Sequence, residues 1–320
     1  MNVSIIIPNF NGRIYLEKCL RSFEIADIFS ADNEVIVVDN RSSDDSVSFL
    51  RSSFPQVHIV ELKKNMGFGK AINIGVEHAD GKYIVLLNND TVVEKGWLPT
   101  LVKSAESDHM IGAVCSKTFW GDTSKIQNAG LVLFRQGYGR DRGAVVNTKK
   151  KQQDYEEDTA YFSLTKDLLA FSGVSVLIQK QVFQKLGGFD PMFFMYYEDA
   201  DLSIRMKKAG YRIVYEPASV LRHIHSGSSK ENSLFFLQQS EQSRLIYLIK
   251  HFSLTTVIHG IVWFHLQMIF AVLHGRFLLA LTRLKVLVWL FFHIPNLVIS
   301  RIKTRMSDMV EFKKFYDEMY

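Results

Sequence analysis

Polar side chains gather at the ends of three apolar runs. "SIIIPNFNG" ends in Pro8, Asn9, Phe10, Asn11 and Gly12, "VIVVDN" in Asp39 and Asn40, and "YIVLLNND" in Asn88, Asn89 and Asp90. One carboxylate beside two amides is a poor plain turn, but it can hold a metal ion at the edge of a sheet. Mg²⁺ commonly takes one or two carboxylates and completes its shell with phosphate oxygens and water, so a single aspartate suffices. Asp39, closing a buried strand, can accept hydrogen bonds from a nucleobase or ribose. The alternative there is a capping turn, because "DNRSSDD" is rich in capping residues.

Asn65, Gly67 and Lys70 stand on the approach to another helix, whose N-terminus with a nearby lysine attracts a diphosphate. An ordinary strand-to-helix turn explains them equally well, and "GFGKAINIG" lacks the dinucleotide-binding glycine spacing. Glu198 and Asp199 open a helix directly after the aromatic run "MFFMYY". Aromatic cover excludes water and raises a carboxylate pKa, as a general base requires. Carboxylates in a first turn also suit the helix dipole, which is the plainer reading. Asp201 and Arg205, four apart, read as a structural pair.

The elements that must hold these groups follow from periodicity. Strands are expected at residues 3–8, 34–38, 57–62 and 83–87, with helices at about 14–23, 44–54 (capped by Ser42 or Ser43) and 70–79. This alternation predicts an α/β fold with a mostly parallel central sheet, which binds ligands at the carboxyl ends of its strands. Residues 121–165 read as a long excursion over the site or a partly mobile loop, with Lys149, Lys150 and Lys151 as a solvated run. Order resumes at "FSGVSVLIQKQVFQKLGGFD", a strand and then a helix ended by Gly187 and Gly188.

Composition narrows the class. The chain has 320 residues, 47% hydrophobic and 22% charged, which fits a globular protein of one large domain or two smaller ones. Two cysteines, Cys19 and Cys115, imply no disulfide framework and suit a reducing, cytosolic environment. The strand pattern begins at once in "VSIIIP", so no secretory signal is expected. Residues 1–240 carry 28 basic and 28 acidic side chains, whereas 241–320 carry ten and five, the whole net charge of +5. A basic and greasy tail points to an anionic membrane surface rather than to nucleic acid.

Four motifs in order, "SIIIPNFNG", "VIVVDNRSSDDS", "NMGFGKAINIG" leading to "YIVLLNNDT", and "GGFDPMFFMYYEDADLSIRMKKAGY", resemble family 2 glycosyltransferases of the GT-A fold. The wording is most similar to the rhamnosyltransferase-like branch that builds bacterial cell-surface polysaccharides, over residues 3–230. The resemblance implies a nucleotide-sugar donor, with dTDP-rhamnose the first expectation, and a glycan or lipid-linked acceptor. It makes Asp39 a nucleoside-binding residue, Asp90 a ligand of Mg²⁺ or Mn²⁺, and Asp199 the base, with Glu198 beside it. His223 matches a position that helps bind the metal or diphosphate, with His225 in reserve. Pro8, Asn9, Asn11, Asn65, Gly67, Lys70, Asn88 and Asn89 complete the expected donor site. No "QxxRW" motif of processive synthases occurs near residues 235–250, which favours one sugar per encounter. The rival readings are a sugar nucleotidyltransferase, whose Gly-rich, Arg-containing phosphate loop is missing, and a catalytically silent nucleotide-binding scaffold.

The sequence divides into a catalytic domain, 1–240, and a C-terminal amphipathic helical region, 241–320. From His251 to Gly275 no charged residue occurs, a stretch long enough to span a bilayer. Thr255, Thr256, His259, Gln267 and His274 form a polar stripe, which favours a helix lying in the interface over a true span. Val286–Ser300 reads as too short to span and broken by Pro295. The expected location is therefore peripheral, on the cytoplasmic face of the inner membrane, with one true span or a cover over the catalytic domain as the alternatives.

Overall fold

The structure, a computed structural model, describes residues 2–147, 152–224, 233–306 and 319. Its first half alternates as predicted: β1 (Val3–Asn9), α1 (Arg13–Ile25), β2 (Asn33–Asp39), α2 (Ser46–Ser53), β3 (His58–Glu61), α3 (Phe68–Glu77) and β4 (Tyr83–Leu87). A short β5 (Thr91–Val93), α4 (Trp97–Glu106) and the long β6 (Ile111–Trp120) follow. The central strands run β3-β2-β1-β4-β13-β6, where β13 is Ser175–Gln179. The pairs β1–β2, β2–β3 and β1–β4 are parallel, and β13 lies antiparallel between β4 and β6. Apolar strands such as "YIVLL", buried throughout, form because both sheet faces are covered. One face packs on α1, α2 and α4, the other on α3 and on the helices after β13.

Residues 121–165 are an excursion over the site, Gln127, Leu131, Gly139, Arg140, Asp141 and Tyr155 lining its cavity, but they are strands rather than the partly mobile loop of the other expectation. They form β7 (Lys125–Asn128), β8 (Leu131–Leu133), β9 (Gly139–Asp141), β10 (Ala144–Asn147) and β11 (Gln152–Glu157), before β12 at Lys166–Leu168. These strands are only three to six residues long, too short for a period-two pattern to betray them; β7 extends the main sheet from β6. Lys117 closes on Asp158 at 2.7 Å and Lys125 on Asp154 at 2.7 Å, stapling the extension. Lys149–Lys151 and His225 lie outside the described residues. Ser42 and Ser43 do not cap α2, which starts at Ser46 with Asp44 accepting from the Ser46 amide.

After β13 come α5 (Lys180–Lys185), α6 (Glu198–Lys208) and β14 (Arg212–His223), which pairs with β5 and β6. The tail is three helices, α7 (Leu234–His251), α8 (Leu254–Leu273) and α9 (Phe277–Met306). Ser233 and Ser253 cap α7 and α8 by accepting from Phe236 and Thr256 amides. The division at residue 240 falls inside α7, whose Leu245, Ile246, Tyr247 and Leu248 are fully buried in one core with Phe193, Ala200 and Ile204. α9 runs unbroken through Pro295, so the expected break there is not found. The sequence reading counted only the uncharged stretch 286–300, whereas Arg283, Lys285, Arg301 and Lys303 are all inside the helix. Both α8 and α9 are long and apolar enough to cross a membrane. α8 buries only a narrow seam, Val257, Phe264 and Ala271, at seven-residue spacing.

Candidate active site

A cavity of about 550 Å³ opens at the carboxyl ends of β1 and β4. Pro8, Asn9, Asn65, Gly67, Asn88, Asn89, Asp90, Glu198 and Asp199 line it, as expected. Asn11, Asp39, Lys70 and His223 are outside the lining; Lys70 is exposed on α3, and His223 lies behind Asp90.

Asp39 and Asn11 instead build the loops. The Asp39 carboxylate accepts from the Ser42 amide at 2.9 Å and from Asn9 Nδ2 at 3.3 Å. Asn11, at φ 51°, accepts from the Ser43 amide at 2.7 Å while its own amide donates to Ser42 Oγ. Asn9 is buried, and its Oδ1 accepts from Asn89 Nδ2 at 2.7 Å. This relay explains the amide at 89. With Asn9 nitrogen committed to Asp39 and Ser42, an aspartate at 89 would set oxygen against oxygen. Asn40, in the cavity wall, accepts from the Met66 amide and donates to Gly67 carbonyl, fixing the Asn65–Gly67 loop. Gly67 has φ 82°, and a Cβ there would lie 2.1 Å from the Phe194 carbonyl oxygen, so only glycine fits.

Asp90 follows β4, and β5 pairing with β14 brings His223 opposite Thr91. Asp90 Oδ1 and His223 Nε2 are 2.8 Å apart, both side chains nearly buried. His223 Nδ1 stands 2.8 Å from Gln127 Oε1, so Nδ1 carries the proton. Nε2 and the Asp90 carboxylate then face each other as neighbouring donor atoms. The donor set, one carboxylate and one imidazole oriented from behind by an amide, fits a divalent ion that also takes phosphate oxygens. Among the described residues no cluster of three ionisable ligands occurs.

The second carboxylate pair opens α6. Tyr196 and Tyr197 precede it with φ 68° and 65°, a costly left-handed pair that turns the chain into the cavity wall. Asp199 Oδ2 accepts from the Gly173 amide at 3.1 Å and Oδ1 from the Ala200 amide at 2.8 Å. Burial raises its pKa, partly opposed by those two donors. Glu198 is pushed up further, first by burial and then by the charge of Asp199, and its Oε2 is buried without a hydrogen-bond partner. Asp199 is thus the pair's readier anion and Glu198 its readier acid. Sequence reasoning placed Asn40 at a strand end without giving it a role, and missed Gln127, Gly173 and the aromatic rim of Phe235 and Phe236; only the polar ends of strands gave a signal. Phe235 packs edge-on against Phe194 at 6.2 Å, and Phe236 against Tyr196 at 5.2 Å.

Residues 4–187 match the profile described as Glycosyl transferase family 2. The chain is 25% identical over 257 residues to the N-acetylglucosaminyl-diphospho-decaprenol L-rhamnosyltransferase of Mycobacterium tuberculosis, covering 76% of this chain and 83% of that one. It is 28% identical to the O-antigen biosynthesis protein RfbC of Myxococcus xanthus, covering 72% of this chain but only 18% of that longer protein. Among solved structures, GalNAc-T7 with UDP, GalNAc and Mn²⁺ superposes with TM-score 0.61 at 16% identity, over 78% of this chain and 48% of that one. Its likeness is one of fold, and the fold is GT-A.

Proposed function

The chain belongs to glycosyl transferase family 2, and on that footing we propose that it transfers a sugar, with inversion, from a nucleotide-sugar donor to a lipid-linked glycan acceptor. It is a glycosyltransferase of the rhamnosyltransferase-like kind, working in polysaccharide synthesis. The observation that carries the mechanism is one cavity holding both Asp90 and the Glu198–Asp199 pair.

In this reading Asp199 takes the proton of the acceptor hydroxyl as that oxygen attacks the anomeric carbon. The nucleoside diphosphate departs from the opposite face. Amides of Gly173 and Ala200 hold the Asp199 carboxylate toward the cavity. Asp90 and His223 would hold Mg²⁺ or Mn²⁺, which supplies charge stabilisation to the departing diphosphate. Asn40 and Asn65 shape the Asn65–Gly67 loop, and Asp39, Asn9 and Asn11 hold the neighbouring Ser42–Ser43 turn. The donor proposed is dTDP-rhamnose, in line with the mycobacterial relative's name.

The acceptor would be met at a membrane. Trp263, Leu266 and Phe270 on α8, and Phe277, Leu281 and Phe291 on α9, are each about half exposed or more. Two polar residues of α9 face inward, Arg283 pairing with Glu241 at 2.8 Å and Ser300 donating to Asp190, while Thr255, His259, His274, Arg276 and Lys285 are exposed. A hairpin with its apolar side outward suits peripheral attachment at the cytoplasmic leaflet. A thermal-shift screen of dTDP, UDP and GDP with and without Mn²⁺ tests the donor reading. A metal-dependent rise for dTDP supports it, and no rise for any nucleotide contradicts it.

A further inference from the structure

We propose that Lys250, contributed by α7, is a positioning residue for the transfer. It ties the helix carrying Glu198 and Asp199 to the tail, and it balances the charge of Asp201 two residues from the base. This rests on the reading of Asp199 as the base.

The geometry is that of a buried knot. Lys250 is 2% exposed, and its ammonium lies 2.6 Å from Asp190 Oδ2 and 2.6 Å from Asp201 Oδ1. Phe193 covers it, with the ring centroid 5.3 Å away. Asp201 is fully buried and also takes Arg205 at 2.7 Å and His251 Nε2 at 2.8 Å. Asp190 in turn accepts from Ser300 on α9 at 3.0 Å and from the Met192 amide. Arg205 continues the knot to the Leu186 and Gly188 carbonyls.

Two positions along a helix are about 200° of rotation. Asp199 therefore looks into the cavity while Asp201 looks into the interior, and fixing the second aims the first. The Gly173 and Ala200 amides hold the Asp199 carboxylate from the cavity side, and the Asp201 knot holds the same turn from the interior, where Tyr197 at the N-cap makes no side-chain capping bond.

Charge makes the role more than a staple. Two carboxylates, Asp190 and Asp201, meet two permanent cations, Arg205 and Lys250. His251 donates through Nε2 and leaves Nδ1 buried without a hydrogen-bond partner, as a neutral imidazole would. Lys208, buried in the last turn of α6, also bears on His251, and the buried Tyr247 ring stacks near it at 5.2 Å. Removing Lys250 takes one positive charge from beside Asp201, two residues from Asp199, which makes the base harder to ionise. Removing Asp190 instead leaves a cation in surplus.

The test is the pH dependence of kcat/KM for the full chain in detergent, with dTDP-rhamnose or UDP-GlcNAc and Mn²⁺. Lys250→Met should lower kcat roughly tenfold or more with donor KM little changed, and move the acid limb up by about one pH unit. Asp190→Asn should move the limb in the opposite direction. Lys250→Arg, and the double variant Lys250→Met with Asp190→Asn, should bring it back toward the parent profile. If Lys250→Met does not fold, Asp190→Asn decides alone. An unmoved acid limb in every folded variant, whatever happens to Tm, reduces Lys250 to a structural tie and overturns the inference. Full activity in Asp199→Asn would instead overturn the base assignment on which it stands.

Discussion

Asp90 Oδ1 and His223 Nε2 meet at 2.8 Å although 133 residues separate them, because β5 and β14 pair directly beside them. Gln127, from the polar strand β7, holds the other ring nitrogen. Asp90→Ala should abolish metal-dependent nucleotide binding. Gln127→Leu should keep the fold but weaken Mn²⁺ affinity about 10- to 100-fold, since the ring loses its orienting partner. Calorimetric titration of Mn²⁺ in the presence of nucleoside diphosphate checks both; unchanged affinity in Asp90→Ala removes the cation site from these residues.

Gly67 offers a test of the donor loop. Gly67→Ala must move the Phe194 carbonyl or leave its left-handed conformation. We expect a loss of roughly 1–3 kcal/mol in stability and a raised donor KM. A variant with parental Tm and KM would show that the close approach to Phe194 is not needed.

The tail arginines separate into two groups. Arg283 binds Glu241 and the Gln267 carbonyl, and Arg301 binds the Ile249 and Phe252 carbonyls, so neither is spare for lipid phosphates. Arg283→Gln should therefore cost roughly 3 kcal/mol of stability by stranding Glu241. Replacing the exposed Arg276, Lys285 and Lys303 by Gln should instead weaken salt-sensitive sedimentation with anionic liposomes. Charged substitutions at Trp263, Phe270 and Phe291 should abolish sedimentation without lowering Tm. Full sedimentation after those three changes would contradict peripheral attachment through this face.

His251 sets an acid limit on stability. Burial, outweighing its bond to Asp201, lowers its pKa from 6.5 to about 4. The unfolded chain then binds the extra proton between those values, so stability falls as pH drops through that window, by up to roughly 3 kcal/mol. Asp201, held well below the usual carboxylate range by Arg205 and Lys250 despite its burial, loses its contribution only at lower pH. His251→Gln should flatten Tm against pH between about 6.5 and about 4. Parallel curves for parent and variant would refute this assignment.

Much of this was legible in the residues themselves. Apolar runs marked β1 to β4, and the polar ends of β1 and β4 marked the cavity. Less legible was the division of labour there, because Asp39 and Asn11 have the chemistry of ligand-binding groups yet spend it on the Ser42–Ser43 turn. Gln127 was hidden because "KIQN" carries no strand pattern, and Lys250 because a basic residue in a greasy tail reads as lipid-facing until its partners are seen. Pro295 misled for a related reason: it stands on the exposed side of α9, where surrounding helix carries it through.

The central claim is that Asp199 removes the acceptor proton. It is tested most directly by the rate of sugar transfer at saturating donor in Asp199→Asn beside Glu198→Gln. The account predicts a fall of about 10²- to 10⁴-fold for Asp199→Asn with donor affinity retained, and a smaller loss for Glu198→Gln. Near-parental transfer by Asp199→Asn, with the large loss in Glu198→Gln instead, would contradict it.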